Sequence, residues 1–239
     1  MKSGPELERC FSYINFQMKP AEGSRPYASG QEVRPAVTIS RQAGSGGHAV
    51  AEQLATYLQT RSPQDARPWT VFDRNLVHRV LEDHNLPARL AQFMPEDRKS
   101  AIEDALEEVL GLHPPTSTLL PKIAETVLHL AGLGHVILLG RGAHIITGAL
   151  PNMFHVRLVG SVEKRAERIR EVQGVSRKAA VAFIKKEDRG RRRYLKKLFG
   201  KDIDDPILYD LVVNTDRFSY AEAAQLIGEA VMRRFALAK

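Results

Sequence analysis

Two kinds of hydrophobic pattern alternate along the chain. Short, continuous and largely β-branched runs occur five times: AVTIS (36–40), WTVFD (69–73), HVILLG (135–140), MFHVRLV (153–159) and LYDLVVN (208–214). Runs of that length and composition predict strands buried on both faces. Between them apolar residues recur every three or four positions, the period of a helix with one buried face. Val50, Leu54 and Leu58 share such a face, and the same period predicts helices over 74–84, 95–110, Leu119–Leu133, 161–172, 177–186, 189–198 and 220–235. Strands separated by helices predict an α/β fold with a five-stranded parallel sheet covered on both sides. Right-handed crossovers then bring every strand's carboxyl end to one edge, where ligands of such sheets bind. The turns after Ser40, Phe72 and Leu139 lie on that edge.

The first 35 residues follow a different pattern. Leu7, Phe11, Ile14 and Met18 have helical spacing, and the aperiodic stretch KPAEGSRPYASGQEVRP reads as a linker. We therefore divide the chain into an N-terminal helix and linker (1–35) and one α/β domain (36–239). The helix either docks on the core or on a second subunit, or it is a loose extension. No internal repeat is visible.

Composition narrows the function classes. The 239 residues are 43 % hydrophobic and 26 % charged, ordinary globular values that exclude a fibre or a disordered tail. Lys and Arg number 35 against 28 Asp and Glu, an excess of +7 that favours phosphate-bearing partners. The one cysteine, Cys10, predicts a reducing, cytoplasmic setting. No apolar run approaches the ~20 residues of a membrane span, so no membrane partner is expected. The histidines show no metal-ligand spacing, and no Ser-His-Asp or cysteine-nucleophile pattern appears. Metal ligands are not assigned.

The densest candidate chemistry is the glycine turn after the first strand. RQAGSGGH (41–48) places Gly44, Gly46 and Gly47 between a buried strand and a helix. Glycines let successive backbone N–H groups converge on an anion, and the helix N-terminus adds positive potential. The ordinary phosphate loop reads G-x-x-x-x-G-K-S/T. Here Gly46 supplies its last glycine, while Arg41, Gly47 and His48 replace its first glycine, lysine and hydroxyl residue. Arg41 is the candidate substitute for the lysine charge, with His48 as a partly charged donor. The competing reading is a glycine turn without a ligand. Asp73 ends the second strand on the same edge of the sheet, where it suits a helix cap. Arg141 follows the third strand between two glycines. Nine cations and two acids fall between Lys185 and Lys201. There Arg189, Arg192 and Arg193 share a helix face, and a bound polyphosphate would relieve the repulsion of charges so close together. Asp210, Asn214 and Thr215 read as structural.

The run VTISRQAGSGGHAVAEQLA resembles the opening of the cytidylate kinase-like proteins, relatives of the P-loop nucleoside monophosphate kinases. In them a Ser-Arg-x-x-Gly-Ser-Gly-Gly signature replaces the ordinary loop. FDRNLVHR, LGRGAHIITGALPNMFHVRLVGSVEKRAERI, IKKEDRGRRRYLKKLFG and YDLVVNTD resemble further segments of the family in the same order, so that the likeness covers 36–231. Leu139 and Gly142 depart from the acidic neighbours of the family's Gly-Arg pair. The resemblance implies a three-layer P-loop kinase fold with a helical acceptor-side insertion (87–133) and a basic lid (176–201). It implies ATP and Mg2+, with nucleotides as substrates, and phosphoryl transfer to a nucleoside monophosphate such as CMP or a similar small acceptor. By resemblance Ser40, Arg41, Gly44, Ser45, Gly46, Gly47 and His48 bind the nucleotide. Asp73, Arg79 and Arg141 serve the acceptor side, and Arg189, Arg191 or Arg192 acts from the lid together with Arg41 and Asp73; Tyr194 is also a lid position. The alternatives are a nucleotide sensor without turnover and, last, an RNA-binding protein using 185–201. Aromatic residues are only 7 % of the chain and are not interleaved with that basic run, which disfavours base stacking.

Overall fold

A computed structural model of the chain describes residues 12–13, 34–62, 68–73, 102–107, 109–110, 119–140 and 142–237. Five short apolar runs form one parallel sheet: β1 (Ala36–Arg41), β2 (Thr70–Asp73), β3 (Val136–Leu139), β4 (Met153–Val159) and β5 (Leu211–Asn214), in the spatial order β2-β3-β1-β4-β5. β1 is central, pairing with β3 at Val37↔Ile137 and with β4 along its whole length from Ala36↔Met153 to Arg41↔Leu158. Its alternation feeds two cores. Val37 and Ile39 pack with α1 (Gly47–Gln59) and the C-terminal helix α6 (Tyr220–Arg234). Ala36 lies in a second core with α2 (Leu119–Leu133), the short α3 (Ala143–Ile146) and Leu195 and Phe199 of α5 (Arg177–Phe199). This is the three-layer α/β fold expected, with the strand carboxyl ends on one edge.

Helix limits follow local chemistry. The Ser219 side chain accepts from the Glu222 N–H while the Glu222 carboxylate accepts from the Ser219 N–H, a reciprocal cap that starts α6. Ser161 opens α4 (Val162–Gln173), and Ser176 and Gly200 bound α5. The two basic helices expected at 177–186 and 189–198 are one helix of 23 residues. Gly190 does not interrupt it, because a glycine costs a helix interior only about 1 kcal/mol and α5 is anchored on either side. Ala180 and Ile184 pack with Ala166 and Ile169 of α4, while Leu195 and Phe199 enter the main core. The last strand begins at Leu211 rather than at 208, since 206–208 form a 3₁₀ turn capped by Asp205.

Of the N-terminal segment, residues 12–13 are helical. Tyr13 is completely buried; its hydroxyl donates to Gly134 O at 2.5 Å and its ring meets Phe72 edge-on at 5.7 Å. Tyr13 therefore contributes to the core beside β2. The helix expected at 74–84 lies outside the described residues; of residues 87–133, expected as a helical insertion, 102–107 and 109–110 are helical, as is α2.

Candidate active site

β1 delivers the chain to the carboxyl edge at Arg41, and the next five residues turn it into α1. The turn is closed from within: Ser45 donates through both its N–H and its hydroxyl to Gln42 O, at 3.3 and 2.9 Å. It is also moored to the sheet, since Gln42 N–H donates to Leu158 O and the Gln42 side-chain carbonyl accepts from Gly160 N–H. Gly44 and Gly46 have φ near +79°, which L side chains adopt with strain. A methyl group on Gly44 would also press on the Arg165 carbonyl at 2.7 Å, and one on Gly46 would enter the Tyr220 ring. What remains exposed is backbone at a helix N-terminus, whose first N–H groups have no intrahelical acceptor. Such a loop is an anion cradle in its chemistry.

An open cleft of about 420 Å³ lies over this loop, lined by Arg41, Gln42, Ala43, Gly44, Gly47, His48, Asp73, Leu139 and Arg191. The edge thus brings together residues from β1, α1, β2, β3 and α5 that are up to 150 positions apart. A methyl group on Gly47 would approach Arg41 Cγ to 2.9 Å. The Arg41 side chain therefore runs over the place where a lysine at that position would start. Arg191 donates to Arg41 O at 3.2 Å and pairs with Glu187 at 3.5 Å and Asp188 at 3.7 Å.

Several expected site residues stand elsewhere. Ser40 is buried below the cleft, where its hydroxyl accepts from Arg157 at 2.9 Å and from Tyr209 OH at 3.3 Å. Ser45 is fully buried as the turn's internal brace. Arg189 is exposed and does not line the cleft. Arg192 turns to Asp204 at 2.7 Å, whose other oxygen takes Arg157. Burial pushes the Asp204 carboxyl up, but hydrogen bonds and charge from these two guanidinium groups outweigh it and hold the group below its usual range. Asp210, Asn214 and Thr215 make structural hydrogen bonds, to His155 N–H, Asp216 N–H and Val159 O. Arg79 and Arg141 lie outside the described residues.

Sequence reasoning missed the residues that hold the loop from behind. Arg165 of α4, only 4 % exposed, donates to Gly160 O, Ala43 O and Asp188. The only signals were an arginine inside an amphipathic helix and an acid inside a basic run. Beneath the site, the buried His144 ring stacks on Tyr209 at 4.8 Å. Burial, helped by His155 and Arg157, drives its pKa down to about 3.

The cleft is fit for a nucleotide polyphosphate: it offers backbone donors, the glycines leave room for phosphate oxygens, and two guanidinium-bearing residues border it. Among the described residues no trio of His, Cys, Asp or Glu is placed to hold a metal. A magnesium ion that arrives with phosphates needs only one or two carboxylates, and Asp73 lines the cleft. Among the described residues no helix is long and apolar enough to cross a membrane.

Comparison with known proteins agrees with this fold. Residues 36–217 match the model of the cytidylate kinase-like family. A cytidylate kinase of Methanopyrus kandleri is 30 % identical over 170 residues, covering 68 % of this chain and 86 % of that enzyme. The crystal structure of an uncharacterized protein from Eubacterium ventriosum superposes with a TM-score of 0.54 at 21 % identity, over 84 % of this chain and 99 % of that one, a likeness of fold. A uronate isomerase of Corynebacterium glutamicum is 29 % identical over 101 residues, 42 % of this chain, which spans only 20 % of that enzyme's length. The chain belongs to the cytidylate kinase-like family. Membership supports a nucleotide-kinase activity.

Proposed function

We propose that the protein transfers the γ-phosphoryl group of ATP to a nucleoside monophosphate, CMP or a close relative. The observation that carries this reading is the Arg41 side chain lying across Gly47 at the mouth of the glycine cradle, which returns a cation to a loop that lacks its lysine. The triphosphate rests on the backbone N–H groups of residues 44 and 46–48, with Arg41 beside it. Asp73 faces the transferring phosphate and would hold magnesium, which supplies charge neutralisation on the phosphate oxygens when bound. Arg191 is the lid arginine of this reading, because it borders the cleft while Arg189 and Arg192 do not. Arg79 and Arg141 are assigned to the acceptor phosphate on the family resemblance. An oxygen of the acceptor's phosphate attacks the γ-phosphorus, the bond to the β,γ-bridging oxygen breaks, and ADP leaves with that electron pair. The attacking oxygen is already ionised at neutral pH, since the second phosphate pKa is about 6. The chemistry then asks for placement and positive charge rather than a general base.

Incubation with ATP, magnesium and CMP, dCMP, UMP, AMP or GMP, followed by separation of the nucleotides, tests the reading. ADP and one diphosphate should form in equal amounts. Binding of ATP without phosphorylation of any monophosphate would overturn it. Arg41→Ala should lower kcat about 100-fold, the size of loss seen when one charge-stabilising donor is removed from an active site.

A further inference from the structure

The mid-point of α5 carries an acid where an anion-binding site would not be expected to tolerate one. Asp188 Oδ1 accepts from the Ala43 N–H at 2.7 Å, and Oδ2 accepts from Arg165 Nη1 at 2.7 Å. The same Arg165 nitrogen donates to Ala43 O at 3.0 Å, and its Nε donates to Gly160 O at 2.9 Å. Residue 43, the last before the left-handed Gly44, is thus gripped at its N–H by α5 and at its carbonyl by α4. Asp188 Oδ1 also lies 3.7 Å from Arg191, and Arg191 holds Arg41 O. One carboxylate therefore joins the start of the cradle to the arginine that borders the cleft. An isolated carboxylate here would repel a triphosphate. Buried Arg165 neutralises it and keeps it fixed, so its charge serves to orient.

We infer that Asp188 is a positioning residue for phosphoryl transfer: it sets the Ala43 peptide and aims Arg191, so that loop and basic helix meet the phosphates in one register. The inference rests on the kinase reading above. Groups that only orient others act on the transition state more than on ground-state binding, and a misplacement of about 1 Å costs about 100-fold in rate.

Asp188→Asn keeps the shape and removes the charge. The variant should lose about 100-fold in kcat while the KM values for ATP and for the monophosphate stay within about threefold. Asp188→Glu, with the charge one methylene further out, should recover part of the rate, and it supplies the same comparison if the Asn variant does not fold. Hydrogen exchange at the Ala43 amide should quicken about tenfold in Asp188→Asn, with exchange in the middle of α4 unchanged. An unaltered kcat overturns the inference. So does a lower KM for ATP at full kcat, which would make Asp188 a competing anion. Should the wild-type protein phosphorylate no acceptor, the kinase reading falls by itself. The exchange measurement then decides this inference, and an unmoved Ala43 amide overturns it.

Discussion

At the scale of single residues, the loop presents an exchange of roles between positions 41 and 47. A lysine at 47 would begin 2.9 Å from Arg41 Cγ, so the two long cations exclude one another. Gly47→Lys alone should therefore displace Arg41 and reduce turnover. Arg41→Gly alone should remove the cation and reduce it about 100-fold. The double variant restores the ordinary first glycine and lysine, with His48 still in the hydroxyl position, and should lose far less than the product of the two, with a favourable coupling of about 1–3 kcal/mol in a kinetic double-mutant cycle. Simple additivity would show that Arg41 does not stand in for the lysine. The glycines and Arg41 were legible in the sequence because they are contiguous and their chemistry is local. Arg165 and Asp188 were not: their partner at Ala43 lies 122 and 145 positions away, and only the fold turns a charge on each helix into a grip on the loop.

At the scale of elements, hydrophobic period placed all five strands and set Leu119–Leu133 at its observed limits, since burial dictates both. It failed at Gly190, where a local breaker lies inside a helix fixed by tertiary packing. Apart from its chain neighbours and the backbone of its own helix, no atom of the described residues lies within 4 Å of a methyl group placed there. Gly190→Ala should consequently raise stability by about 1 kcal/mol, read as a higher urea midpoint with an unchanged slope. Because α5 is anchored both before and after Gly190, kcat should remain within about twofold. A helix that must bend at this point during turnover would show a clear loss instead. The N-terminal element is the converse case. Tyr13 lies outside the helical period of Leu7, Phe11, Ile14 and Met18 and gave no hint of its destination, yet it is buried against Phe72, next to Asp73. Tyr13→Ala should cost about 3–5 kcal/mol. Tyr13→Phe should cost about 1 kcal/mol, the usual worth of the hydrogen bond to Gly134 O.

At the scale of the whole molecule, the central strand joins a polar floor to the cleft, and that floor makes acid stability a property of the fold. Ser40, Arg157, Tyr209 and Asp204 are linked under the loop, with His144 stacked on Tyr209 and His155 bonded to Thr38. Burial lowers the pKa of both histidines, that of His144 to about 3 from 6.5. The unfolded chain then binds more protons than the folded one between those values, so stability should fall as pH drops from about 6.5 towards 3. Asp204 has the opposite chemistry: its depressed folded value gives stability that is full above the ordinary carboxylate pKa and is lost as pH falls through the folded one. The two windows separate by mutation. Among the described residues neither ring nitrogen of His144 has a hydrogen-bond partner. Phe at that position keeps the stacked ring without the buried nitrogens, so His144→Phe should match or exceed the wild type at pH 7. It should also flatten the decline between pH 6.5 and 4, leaving the His155 contribution. Asp204→Asn should be less stable at pH 7, with the deficit closing as pH falls below about 4. Urea unfolding at a series of pH values reads both effects. A His144→Phe variant whose stability declines as steeply as the wild type above pH 4 would show that this ring does not govern the first window.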